Sequence, residues 1–206
     1  FGGNGSVALD WIDVVESVPS RDRNTFVLFD YPGYGINQGS PNPQRIADSI
    51  DLAIPEVAAA LGLSEGELVN RSATLGHSLG AAVAFDFADR YDLERVVAIS
   101  PFTTMEAMAR RTMGPWAAWL LTHRYDNEKS LDSILNAGHP VEITIFHGEE
   151  DSLIPPSMGR SLVRRDETGS QIEFVPVPEA GHNDVVFRIL PDLLHEIERS
   201  VSQAPG

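Results

Sequence analysis

The run Ala73-Thr74-Leu75-Gly76-His77-Ser78-Leu79-Gly80-Ala81-Ala82 constrains this chain more than any other stretch. A short apolar segment suited to a strand leads through one serine straight into small residues suited to a helix. A serine on so tight a strand-to-helix turn takes a cramped backbone conformation, tolerable only where its neighbours carry no bulky β-carbon. Gly76 and Gly80 meet that need. The turn would lift the Ser78 oxygen clear of the sheet, and the helix beginning there would aim free backbone N–H groups at any anion formed beside it. Gly76-His77-Ser78-Leu79-Gly80 thus matches the Gly-x-Ser-x-Gly nucleophile elbow. The alternative, a loop serine between two turn glycines, predicts no strand before, no helix after, and no suitably spaced acid and histidine downstream.

The remainder of the chain alternates strand and helix. Val7, Trp11, Val14 or Val15, and Val18 recur at helical spacing with Asp10, Asp13 and Glu16 opposite. This predicts an amphipathic helix over 6–18, capped by Ser6 and broken at Pro19-Ser20-Arg21-Asp22. Thr25 to Phe29 is a continuous apolar run suited to a strand buried on both faces, and Asp30-Tyr31-Pro32-Gly33-Tyr34-Gly35 is a turn at its end, with Asp30 fixing that turn. Asn42 before Pro43 predicts a helix start, and Pro55 is expected to kink or interrupt that helix. A helix over 79–90 follows the elbow. Further strands are expected at 95–100, 141–146 and 172–177, a short helix at 157–167, and a final helix from a cap at Asp184 to about Val201 with a bend at Pro191. The pattern is an α/β chain: one domain over 1–206, mostly parallel sheet, right-handed crossovers.

Residues 102–135 leave this rhythm. Met105, Met108, Met113, Trp116, Trp119, Leu120 and Leu121 stand there among few strand signals. They read as a small helical insertion with two possible uses. It could cap a pocket, with Met105, Met108 and Trp116 contacting an acyl substrate, or it could be a core-packing helix.

Charge and composition narrow the function classes. A formal net charge of −15 argues against a phosphate-backbone partner, so no nucleic acid is expected. No apolar run approaches the roughly 20 residues of a membrane span. The chain has no cysteine, which removes disulfides, thiolate metal sites and a cysteine nucleophile. No cluster of histidines and acids has ligand spacing, so neither a metal nor a cofactor is assigned.

Three side chains fall in loops that follow strands and should therefore meet along one sheet edge: Ser78, Asp151 and His182. In that arrangement His182 would take the Ser78 proton during attack on an acyl carbonyl and return it to the leaving group, while Asp151 would hold the imidazole tautomer. The oxyanion would need two donors. The N–H of Leu79 is one; the other is assigned to Gly3, with Gly2 as the alternative, in the loop Phe1-Gly2-Gly3-Asn4-Gly5. Glu149 and Glu150 flank Asp151 but fit the Asp-x-x-Ile-Pro phrase less well. His77 is expected to pack away from the serine, and His147 to brace the acid loop. His123, His139 and His195 read as incidental.

With these residues in place the chain resembles the α/β-hydrolase superfamily, and within it the small-lid carboxylesterases and acyl-protein thioesterase-like proteins. The resemblance rests on Gly76-His77-Ser78-Leu79-Gly80, on Phe1 to Gly5, on Asp30 to Gly35 with Gly39-Ser40-Pro41, on Ser100-Pro101-Phe102, on His147-Gly148 with Asp151, and on Gly181-His182-Asn183-Asp184. It implies an α/β-hydrolase fold, mostly parallel sheet with helices on both faces, and hydrolysis of a carboxylic ester or thioester of a small or lipid-like acyl group. A peptidase or amidase on the same residues and a non-catalytic binding relative are the alternatives. It also implies strands ahead of the glycine loop, one of them between 25–29 and 72–76, which a longer protein or a separate N-terminal segment would supply. Localisation stays open.

Overall fold

The computed structural model describes residues 1–19, 21–116 and 124–202; Ser20, Trp119, Leu120, Leu121 and His123 lie outside them. The first helix forms later than its apolar spacing predicts. The Asp10 carboxylate accepts from the Val7 N–H at 2.9 Å and from the Ser6 hydroxyl at 3.0 Å, so the acid three residues on, rather than Ser6, closes the helix start. A 3-10 turn over Ala8–Trp11 then leads into a short α1 (Ile12–Glu16). Trp11, Val14 and Val18 are buried as the spacing requires.

Helix α2 (Pro43–Leu61) starts as predicted, with the Asn42 side chain accepting from the Arg45 N–H and Pro43 in the first turn. It runs on through Pro55, so the helix is not interrupted there. Pro55 sits on the exposed face, where the carbonyl one turn back can be hydrated. The short α3 (Glu65–Asn70) is closed by a capping box between Ser64 and Glu67. Then the alternation begins: β1 (Thr74–His77), α4 (Leu79–Tyr91), β2 (Arg95–Ile99), α5 (Met105–Met113), α6 (Asn127–Leu135), β3 (Glu142–Gly148), α7 (Pro156–Val163), β4 (Ile172–Val177), α8 (Val185–Arg188) and α9 (Leu190–Ser202).

The described strands form one sheet in the order β1-β2-β3-β4, every pair parallel. His77 stands opposite Ile99, Ile99 opposite Phe146, and Gly148 opposite Val177, so the C-terminal ends come out together. Side chains alternate across the pleat. Val96, Ala98, Ile143 and Ile145 join Phe85 of α4, Leu131 of α6 and Leu162 of α7 in one apolar cluster. Val97, Ile99 and Phe146 join Trp11, Val14, Ile189 and Leu193 in a second. Helices therefore cover both faces, and burial of each large side chain contributes roughly 1.5–3 kcal/mol.

Thr25 to Phe29 forms no regular element and pairs with no strand among the described residues, and Val27 and Leu28 are 54% and 37% exposed. The expected buried strand is thus absent among the described residues, because no described strand lies alongside it to share a ladder. A groove of about 620 Å³ separates this segment from β1, lined by Trp11, Ile54, Val57, Phe26 and Leu75 among others. At its end the Phe1 backbone nitrogen donates to the Leu75 carbonyl at 2.7 Å and its carbonyl accepts from the His77 N–H at 3.1 Å. That pair of bonds is one rung of a parallel ladder on the edge of β1 that faces the groove.

The 102–135 insertion is an excursion with a closed neck. Thr104 and Asp126 form an antiparallel bridge, Asn127 donates its N–H to the Thr103 carbonyl at 2.9 Å, and its buried side chain donates to the Phe102 carbonyl at 2.7 Å. The predicted last helix is divided, and the break falls at Ile189 rather than at Pro191. No helix among the described residues is long and apolar enough to cross a membrane.

Candidate active site

The elbow is built as the glycines require. A Cβ on Gly76 would lie 2.0 Å from the Gly80 carbonyl oxygen, and one on Gly80 would lie 2.1 Å from the Phe1 carbonyl oxygen, so only hydrogen fits at either position. Between them Ser78 holds φ 58° and ψ −114°. A non-glycine residue there stores strain of about 1–3 kcal/mol, which the surroundings must impose. The Ser78 N–H donates to the Ile99 carbonyl at 2.9 Å, tying the turn to the end of β2.

Two loops bring the partners. Beyond β3, the Asp151 Oδ1 accepts from the N–H groups of Leu153 and Ile154 at 3.0 and 2.8 Å. Beyond β4, the Gly181 N–H donates to the Asp184 carboxylate at 2.8 Å and closes the loop that carries His182. His182 Nδ1 then lies 2.7 Å from Asp151 Oδ2, and His182 Nε2 lies 3.0 Å from Ser78 Oγ. A carboxylate only accepts, so Nδ1 carries the proton and Nε2 presents a lone pair to the serine hydroxyl. Burial pushes the Asp151 carboxyl up, but the hydrogen bonds from His182 and the Ile154 N–H outweigh it and hold the group below the usual carboxylate range. The acid is charged at neutral pH.

The glycine loop lies against the serine. A Cβ on Gly3 would stand 3.4 Å from the Ser78 Cβ, and the buried Tyr31 hydroxyl anchors the loop by donating to the Gly2 carbonyl at 2.9 Å. Leu79 opens α4, so its N–H belongs to the first turn, whose donors have no carbonyl within the helix. Asp30 accepts from the Ala8 N–H at 2.7 Å, so its carboxylate ties the segment after the glycine loop rather than its own turn over 30–35.

Other expected site residues fall differently. Met105 and Met108 are half-buried against the α4 core, whereas Trp116 is 59% exposed. Glu149 and Glu150 are exposed, Glu149 facing Arg160 at 3.5 Å. His147 is fully buried and donates from Nε2 to the Ile154 carbonyl at 2.8 Å, bracing the acid loop as expected. His77 corrects the sequence reading. Its Nε2 lies 3.0 Å from the His182 carbonyl, and the two rings stand 4.9 Å apart between centroids. Asp184 holds the N-cap position of α8 as expected, but its side chain makes no cap bond there and accepts instead from the Gly181 N–H and from Arg188. The one signal for His77 was a polar residue inside a buried strand. No group of three histidines and acids among the described residues could hold a metal ion.

The sequence profile of the alpha/beta hydrolase family matches residues 2–138, two thirds of the chain. The chain belongs to the alpha/beta hydrolase family. Among family relatives, it is similar to the uncharacterized protein YfhR of Salmonella typhimurium, 29% identical over 185 residues that make up 85% of this chain and 60% of that protein. It is also similar to human alpha/beta hydrolase domain-containing protein 17C, 29% identical over 187 residues, 88% of this chain and 53% of that one. The chain thus spans a little over half the length of these relatives. As an alpha/beta hydrolase it shares its fold with MGS-M2, an alpha/beta hydrolase enzyme from a Medee basin deep-sea metagenome library (TM-score 0.71, 14% identity, 100% of this chain and 88% of that one). The monoacylglycerol lipase of Paleococcus ferrophilus shares it too (TM-score 0.60, 19% identity, 98% and 92%).

Proposed function

We propose that this chain is a serine hydrolase that cleaves carboxylic esters or thioesters through an acyl-enzyme. The observation that carries the proposal is the unbroken line Asp151–His182–Ser78, at 2.7 and 3.0 Å, ending on a strained serine. Ser78 Oγ attacks the acyl carbonyl while His182 Nε2 takes its proton; the tetrahedral oxyanion is held by the N–H groups of Leu79 and Gly3. Collapse breaks the bond to the leaving alcohol or thiol, which receives the proton from His182. Water then repeats the sequence on the acyl-enzyme, releasing the carboxylic acid and restoring Ser78. Asp151 stays charged and stabilises the imidazolium. The exposed Trp116 and the half-buried Met105 and Met108 are assigned to the acyl group. The groove beside β1 is taken as the seat of one further strand in a longer protein.

A fluorophosphonate probe tests the reading. Wild type should be labelled on Ser78 and Ser78→Ala should not; folded wild type that resists the probe would overturn it. A panel of nitrophenyl esters, thioesters and peptide amides then separates an esterase or thioesterase from a peptidase.

A further inference from the structure

His77 is a residue the serine chemistry leaves without a task, although it touches both the His182 loop and the Gly3 loop. Its Nε2 faces the His182 carbonyl at 3.0 Å, its ring is tilted 35° over the His182 ring at 4.9 Å, and a Cβ on Gly3 would stand 3.3 Å from its Nδ1. A carbonyl only accepts, so Nε2 must carry the proton. The same ring therefore separates two loops far apart in sequence, the one that bears His182 and the one that bears Gly3.

We propose that His77 is a positioning residue: its Nε2–H holds the backbone of His182, and its ring sets the spacing between the base and the Gly3 loop. The inference rests on the serine-hydrolase reading and assigns the site one more working part. Chemistry supports an imidazole at this position. The group must be a neutral donor, because a second cation beside His182 would oppose formation of the imidazolium in the acylation step. Burial, and next the neighbouring His182, depress the His77 pKa to about 4, which keeps the ring neutral while His182 cycles. The face of a neutral aromatic ring also accommodates a nearby cation. Lysine or arginine would supply a donor with the wrong charge, and an aliphatic residue would fill the space and leave the carbonyl unbound.

The geometry separates two near-isosteres. Glutamine carries its amide nitrogen about where His77 has Nε2, and asparagine carries it about where His77 has Nδ1. His77→Gln should keep turnover within about 3-fold of wild type, whereas His77→Asn and His77→Leu should lower kcat about 10- to 100-fold with KM within about 2-fold, the loss typical of a catalytic group displaced by a fraction of an ångström to one ångström. The pH profile of kcat/KM should move in the Leu and Asn variants and hold in the Gln variant. A second readout needs no turnover: the low-field proton NMR signal of His182 Nδ1–H should stay sharp in wild type and His77→Gln and broaden in His77→Leu. Equal kinetics in the Gln and Leu variants, or an unchanged His182 signal in His77→Leu, would overturn the assignment. Activity that survives Ser78→Ala would instead overturn the serine reading, and the NMR arm would still decide the role of His77.

Discussion

Two buried aspartates sit near opposite ends of the sheet and make a natural pair. Asp166, ahead of β4, uses both oxygens on its own loop: Oδ1 accepts from the N–H groups of Thr168 and Gly169 and from the Thr168 hydroxyl, and Oδ2 from the N–H groups of Gln171 and Ile172. Asp151, beyond β3, uses only Oδ1 in this way and keeps Oδ2 for His182. Both carboxyls are held below the usual range against the push of burial, Asp166 at about 2 by the Thr168 hydroxyl and the backbone N–H groups. A depressed pKa by itself therefore does not mark chemistry. The informative difference is whether the carboxylate has an oxygen left after the backbone is satisfied, and which side chain claims it.

The largest effect should come from removing the charge at the half-committed acid. Asp151→Asn keeps the shape and loses the carboxylate that fixes the His182 tautomer, so kcat should fall by about 10³- to 10⁴-fold in steady-state ester hydrolysis. A fall of less than about 10-fold would erase the distinction between the two aspartates. Next comes Asp166→Ala, which strips partners from several backbone N–H groups. Urea unfolding should show a loss of about 2–3 kcal/mol while turnover per folded molecule stays within about 2-fold. A drop in turnover with unchanged stability would reverse the roles.

A smaller, pH-dependent effect belongs to His77. Its folded-state pKa of about 4 lies below the ordinary 6.5, so the unfolded chain binds the extra proton first. The contribution is complete above about pH 6.5 and is lost as pH falls through about 4. Denaturation midpoints measured across that window should decline less steeply in His77→Gln than in wild type. The smallest effect is expected at Glu149 and Glu150, next to Asp151 but exposed. Their replacement by glutamine should leave kcat within about 2-fold; a loss like that of Asp151→Asn would mean that the acid had been misassigned.

What was legible in the sequence divides along a physical line. Strongly apolar runs such as Val96 to Ile99, and Ile143 to Phe146 with its one threonine, carry their own signal, because a strand buried on both faces has no polar face to hide. The elbow was legible because glycine, serine and glycine at fixed offsets answer a local steric demand. Ser78, Asp151 and His182 followed from those strand ends. The reading failed where a residue's partner is distant. Thr25 to Phe29 has the composition of a buried strand, but pairing depends on a neighbour that composition cannot supply. His77 meets a carbonyl 105 residues away, and alternation along β1 gave no hint of it. Asp184 does stand at the N-cap of α8, but its carboxylate goes to the Gly181 N–H and to Arg188, partners its residue type alone does not name.

The paired glycines of the elbow bear on how such a chain can change over generations. At both positions the obstacle to a methyl group is main chain rather than a side chain: the Gly80 carbonyl for one, the Phe1 carbonyl for the other. No compensating substitution elsewhere can trim a carbonyl oxygen, so neither glycine has a viable one-step neighbour while this turn persists. The exposed surface around Trp116 and the loop tips carries no such bar. Descendants of this sequence can vary at those exposed positions, but the serine itself stands on ground where drift has nowhere to go.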